Sequence, residues 1–231
     1  MSEPNTPWYE KSEFDGAAQF SDGVLRQAGW LARIPPNAVT LFGALLSCPM
    51  FLAFGSGFIF WGAVLFAVSS VIDWLDGALA RYQLRLHAAG RLDLRSHRSE
   101  WFRLGPTERG KMLDPFIDKI RYFAAIVPLG RGLLPHALIW IAAGIALALT
   151  ALRALTEWRW NIQLGANLWG KFKVYGEILT IALLVFLTAG APLEEAAYAL
   201  FVIATALGLI SLGTQSYRAR LLWHERKDRN P

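Results

Sequence analysis

The chain has 231 residues, a formal charge of +5 and one cysteine; 54% of it is hydrophobic and only 18% charged, with a mean hydropathy of +0.32. An ordinary soluble domain is about 45–50% apolar and about 25% charged, so this composition excludes one, along with any disordered or collagen-like chain. A single cysteine closes no internal disulfide, and the high pI near 9.6 poses a question about where the basic residues lie.

Residues 1–18 read as a loose tail. From Gln19 to Arg33, the residues Phe20, Val24, Ala28 and Leu31 fall on one helical stripe. That pattern fits an interfacial helix ending at Pro35-Pro36, or a short amphipathic linker. No cleavable signal peptide is expected, because the first 37 residues are polar and the first apolar run is too long for an h-region.

Ala38 to Ile72 holds no charged residue, a run of 35. A bilayer core takes about 20 apolar residues per helix, so the run contains most of two spans, with Gly55-Ser56-Gly57 as the turn. Cys48 sits in the first as a small apolar residue, and Pro49 predicts a kink there. A third segment, Met112 to Gly130, is apolar after Arg121 and charged before it. Leu133 to Leu152, Ile178 to Leu193 and Ala196 to Tyr217 complete an all-α, polytopic membrane protein of six transmembrane helices. The resulting organisation is a tail and interfacial helix over 1–37, a six-helix domain over 38–217 with a basic insertion at 82–109, and a basic tail over 218–231.

Lys and Arg are distributed on one side of this plan. The stretch before residue 38 carries three, Arg81 to Lys111 eight, Lys119 and Arg121 two, Arg153 to Lys173 four and the chain from Arg218 five, whereas only Arg131 falls on the other side. Both termini and the long loops are therefore expected in the cytoplasm. The basic residues then serve orientation and anionic lipid, not nucleic acid.

Ionisable residues bordering membrane helices are costly and mark function. The second span ends Asp73-Trp-Leu-Asp76-Gly77-Ala-Leu-Ala80-Arg81, and the spacings of three, four and seven place Asp73, Asp76, Gly77 and Ala80 on one helical face. Gly110, Asp114 and Asp118 recur every four residues and share a face on the third segment. Carboxylates stacked this way repel and call for a cation or a proton. Oxygen donors without Cys or His favour Mg²⁺, Mn²⁺ or Ca²⁺, and a pair of such ions suits a pyrophosphate substrate and displacement at phosphorus. The bland alternative is helix capping and pairing with Arg81, Lys111, Lys119 or Arg121. His87, His97, His136 and His224 show no metal-ligand spacing.

The string Asp-x2-Asp-Gly-x2-Ala-Arg followed by Gly-x3-Asp-x3-Asp resembles the motif of the CDP-alcohol phosphatidyltransferases. The likeness extends from about Arg33, through Pro36-Asn37-x-x-Thr40 and Leu113-Asp-Pro-x-x-Asp-Lys119, over six helices. One departure is large: Arg81 to Gly110 encloses 28 residues where the family has a short gap. Gly90 offers a shorter frame that fails, since Leu94 and Arg98 stand where aspartates are needed.

The resemblance implies transfer of a phosphatidyl group from CDP-diacylglycerol to an alcohol, with release of CMP, in phospholipid biosynthesis. It implies Asp73, Asp76, Asp114 and Asp118 as ligands of two Mg²⁺ or Mn²⁺ ions and Asp118 as general base. It also implies Gly77, Ala80, Arg81 and Gly110 as the CDP-binding residues, a homodimer, and an active site on the cytoplasmic face of a bacterial inner membrane. Gly170-Lys171-Phe-Lys173 is similar to bacterial phosphatidylglycerophosphate synthases, except that Val174 and Glu177 replace their usual Thr and Gln. Lys119, Arg153, Lys171 and Lys173 are the candidate acceptor-binding residues, and Lys171 and Lys173 fit interfacial anchoring equally well. Glycerol 3-phosphate is the first expected acceptor, ahead of inositol phosphate, serine or another head group. The rival readings are an Asp-rich membrane prenyltransferase and a non-catalytic ion-binding membrane protein or transporter.

Overall fold

The computed structural model describes residues 23, 25, 29–93, 104–105, 108–160, 164, 168–188 and 190–229, without the side chains of 108–115 and a few others. Among the described residues the regular structure is all helical. A 3₁₀ helix, Gly29–Arg33, leads into α1 (Pro36–Leu45), α2 (Ser47–Gly55), α3 (Ile59–Ala88), α4 (Glu108–Leu129), α5 (His136–Trp160), α6 (Leu168–Thr188) and α7 (Glu194–Arg229). Of the expected helix over Gln19–Arg33, only Gly23, Leu25 and the 3₁₀ turn fall within the described residues.

The break between α1 and α2 follows from Pro49. Its ring collides with the carbonyl four residues back, at Leu45, and it offers no N–H to that oxygen, so α1 ends there. The turn after α2 is a Schellman closure. Phe58 N–H bonds to Ala53 O at 2.8 Å, Gly57 N–H to Phe54 O at 3.2 Å, and Gly57 holds φ +79°, a backbone region that costs glycine little. Gly90 ends α3 in the same way, with φ +69° and Arg91 N–H on Leu86 O at 2.8 Å. Gly90 is thus a helix-terminating glycine. The first seven residues of the 82–109 insertion prolong α3; residues 94–103 and 106–107 lie outside the described set.

Pro36–Gly55, Ile59–Ala88, His136–Glu157 and Glu194–Glu225 are long and apolar enough to cross a membrane. Six such helices were expected. α4 and α6 fall short for a plain reason: α4 carries Asp114, Asp118, Lys119 and Arg121 ahead of its apolar part, and α6 carries Lys171, Lys173 and Glu177. Polarity is inverted relative to a soluble protein. Phe60 and Trp140 are each 71% exposed, while Ser69, Gln83 and Thr156 are fully buried. α6 shows the same inversion, with Phe172, Tyr175, Ile178 and Leu179 outward and Lys173, Glu177 and Thr180 inward. Apolar surface on this scale is soluble only in lipid, so the chain is an integral membrane protein.

The chain forms two compact units, Met1–Phe42 with Ser70–Lys111 and Gly43–Ser69 with Met112–Pro231. In the first, Leu25, Ala78 and Leu79 form the buried centre, flanked by Ile34, Val39, Leu75 and Tyr82. In the second, Met50, Phe54, Ile126, Leu129, Leu184 and Phe201 are among the buried core. There α6 and α7 approach closely at Gly176, where an added methyl would sit 3.0 Å from the Ala204 Cβ.

Candidate functional site

In the first unit, the C-terminal part of α3 is one uninterrupted helix, so Asp73, Asp76, Gly77 and Ala80 share a face. Ala78 and Leu79 turn the opposite way into the core beside Leu25. Asp76 is 6% exposed, and its Oδ2 accepts a hydrogen bond of 2.6 Å from the Thr40 hydroxyl of α1. That hydroxyl also lies 3.2 Å from Pro36 O, and Asn37 is buried beside it in sequence. The Pro-Asn-x-x-Thr string therefore belongs to the same site as the aspartates: it starts α1 and delivers the donor that holds Asp76. Arg81, exposed at the end of the face, folds back along Gly77, where a Cβ would meet its Nη1 at 3.4 Å. Ala80 is half-buried on this face.

Also in this unit, Gln83 is fully buried and holds three backbone groups. Its Nε2 donates to Ala32 O at 3.0 Å and Ile34 O at 2.8 Å, and its Oε1 accepts from Gly105 N–H at 2.6 Å. One amide thus fastens both the segment before α1 and the returning end of the insertion to α3.

In the second unit, Asp118 stands on α4 with its side chain 42% exposed and ion-paired to Arg121, one turn on. Arg121 Nη1 also donates to the Ser69 carbonyl of α3 at 3.1 Å, which fixes the guanidinium from both ends. Gly110 and Asp114 lie on α4 at the expected four-residue intervals, and their side-chain surroundings fall outside the described residues.

The four candidate acceptor residues meet different fates. Lys119 Nζ lies 3.4 Å from Glu177 Oε2, and Lys173 Nζ pairs with Oε1 of the same carboxylate. Arg153 Nε donates to Gln215 Oε1 at 3.1 Å, and Lys171 is exposed. Glu177 therefore joins two of the four, a role that its four-residue interval from Lys173 hinted at. Arg121 had a similar local signal, three residues after Asp118. Gln83 had none, because all its partners are distant in sequence.

Among the described residues, no three His, Cys, Asp or Glu side chains converge on a metal position. The donors the motif offers, Asp73, Asp76, Asp114 and Asp118, are by residue type carboxylate oxygens alone, a set that fits a hard divalent cation.

Comparison with known proteins adds to this geometry. A family model described as CDP-alcohol phosphatidyltransferase matches residues 33–91 and 105–210. The match pauses within the insertion and resumes before Gly110. A CDP-diacylglycerol–glycerol-3-phosphate 3-phosphatidyltransferase of Bacillus subtilis (strain 168) is 30% identical over 125 residues, 54% of each chain. An archaetidylinositol phosphate synthase of Methanothermobacter thermautotrophicus is 42% identical over 57 residues, 25% of this chain and 29% of that one. The chain thus matches about half the length of the first relative and under a third of the second. No solved structure matches.

Proposed function

Because the chain belongs to the CDP-alcohol phosphatidyltransferase family, a family of enzymes of phospholipid synthesis, we propose that it transfers a phosphatidyl group from CDP-diacylglycerol to glycerol 3-phosphate and releases CMP. The observation that carries the proposal is the α3 face: Asp73, Asp76, Gly77, Ala80 and Arg81 in motif register, with Asp76 buried and held by Thr40.

In this reading Asp73, Asp76, Asp114 and Asp118 hold Mg²⁺ or Mn²⁺, which when bound offsets the charge of the pyrophosphate and of departing CMP. Gly77 and Ala80, lacking bulk, let the cytidine diphosphate lie close to α3, and Arg81 and Gly110 border it. Asp118 takes the proton of the attacking hydroxyl, whose oxygen bonds to the phosphorus next to the diacylglycerol while the bond to CMP breaks. Thr40 and Arg121 fix the Asp76 and Asp118 carboxylates. Lys119, Arg153, Lys171 and Lys173 form the acceptor side. Inositol phosphate is the second acceptor, on the strength of the archaeal relative.

The proposal includes six spans, with α4 and α6 inserted as the charged members of the bundle. It also includes both termini and the site on the cytoplasmic face of a bacterial inner membrane, and a homodimer. The inverted polarity of α6 supports its insertion. Membership of the family weighs against the prenyltransferase and ion-transporter alternatives.

The test is release of radiolabelled CMP from CDP-diacylglycerol in detergent, across acceptors, with and without Mg²⁺ or Mn²⁺. Turnover with glycerol 3-phosphate is expected, and Asp76→Asn is expected to abolish it in protein that still elutes as a folded species. Wild-type turnover in that variant would refute the role of Asp76, and no turnover with any alcohol would refute the activity.

A further inference from the structure

The cluster around Glu177 holds more charge than a structural ion pair requires. Lys119 from α4 and Lys173 from α6 share one carboxylate, each on its own oxygen. Two ammonium groups against one carboxylate leave the cluster with one net positive charge. Lys173 is sealed in: its side chain is 5% exposed, and its stem lies along Gly208 of α7, where an added Cβ would sit 3.0 Å from its Cε. Lys119, at 17%, is the open end, directly after Asp118. The Tyr122 hydroxyl, buried and without a hydrogen-bond partner, borders the same tight void as Lys173 and Glu177. Among the described residues, two ammonium groups share this one carboxylate, a surplus of positive charge that suits an incoming anion at the open end.

We propose that Glu177 is a specificity-determining residue of the acceptor side, an internal anion with which the phosphate of a phosphate-bearing alcohol competes for Lys119, while Lys173 stays sealed against the other carboxylate oxygen. This rests on the proposed function for the identity of the alcohol, but not for the binding of phosphate itself. Glu177 has two effects. It keeps two lysines among apolar helices that would otherwise hold buried, unpaired charge. It also weakens phosphate binding, since a fixed carboxylate beside the lysines repels the arriving dianion.

The experiment is equilibrium dialysis of the purified full chain in detergent with three probes: glycerol 3-phosphate, inorganic phosphate and glycerol. Glu177→Gln keeps the volume and one hydrogen-bond acceptor while removing the charge. It is expected to tighten both phosphate-bearing probes by about tenfold and to leave glycerol unchanged. In turnover assays KM for glycerol 3-phosphate is expected to fall by the same factor, with kcat within about threefold. Should that variant not fold, Lys119→Met keeps the buried Lys173–Glu177 pair, and it is expected to weaken phosphate binding by at least about tenfold. Unchanged or weaker phosphate binding in Glu177→Gln, an equal shift for glycerol, no phosphate binding in either protein, or an indifferent Lys119→Met each overturns the inference. CMP release with an alcohol that carries no phosphate would revise the acceptor and leave the dialysis result to decide the role of Glu177.

Discussion

Replacing Gln83 by methionine isolates the value of the three hydrogen bonds that tie α3 to the segment before α1 and to the end of the insertion. Methionine fills nearly the same volume, so little cavity forms and the change removes polar partners alone. Three backbone groups lose their partner: Ala32 O, Ile34 O and Gly105 N–H. The bond to Ile34 is only part-buried, so water can replace it, which leaves two groups to be counted. A buried polar group left unsatisfied costs about 1–3 kcal/mol, so the expected loss is about 2–6 kcal/mol. The loss should be local. Hydrogen exchange at the Gly105 amide is expected to accelerate in proportion, while α6 and α7, in the other unit, keep their protection. Thermal unfolding in detergent is expected to begin earlier. Wild-type exchange at Gly105 together with an unchanged melting temperature would show that the amide network does not hold the insertion end, and the reasoning would fail.

The same physics gives two smaller predictions. Gly62 faces the buried ring of Phe54, and an added methyl would overlap it, so Gly62→Ala should destabilise by about 1–3 kcal/mol despite its better helix propensity. A melting temperature at or above wild type would contradict the packing seen there. Thr40→Val keeps the shape but removes the donor to the Asp76 carboxylate, a charge-assisted bond whose loss should cost about 1.5–3 kcal/mol. Equal stability of that variant and the wild type would mean the bond contributes nothing to holding Asp76.

The helices themselves were legible because their determinants are local. The uncharged run from Ala38 to Ile72 and the Gly55-Ser56-Gly57 turn appear in the structure where composition places them, and the position of the Pro49 break follows from one steric rule. Hydropathy became ambiguous in α4 and α6, where charged residues dilute the apolar signal over the whole helix. Window averages cannot tell a charged residue facing lipid from one facing the bundle, and α6 resolves that only once Lys173 and Glu177 are seen turned inward.

The aspartates were legible for a related reason. Intervals of three and four residues fix a shared face as soon as a helix is granted, so Asp73 and Asp76 could be paired without knowing any contact. Their support could not be read in this way. Thr40 reaches Asp76 across 36 positions, and Lys119 reaches Glu177 across 58. What sequence offered there was weaker evidence of another kind: a Thr in a short string at the start of the first span, and a Glu in the place of a Gln. Both turned out to be polar residues buried against a charge, in a protein whose lipid-facing surface leaves them nowhere else to be satisfied. Glu177, four positions from Lys173, thus points inward, toward the charge it stabilises.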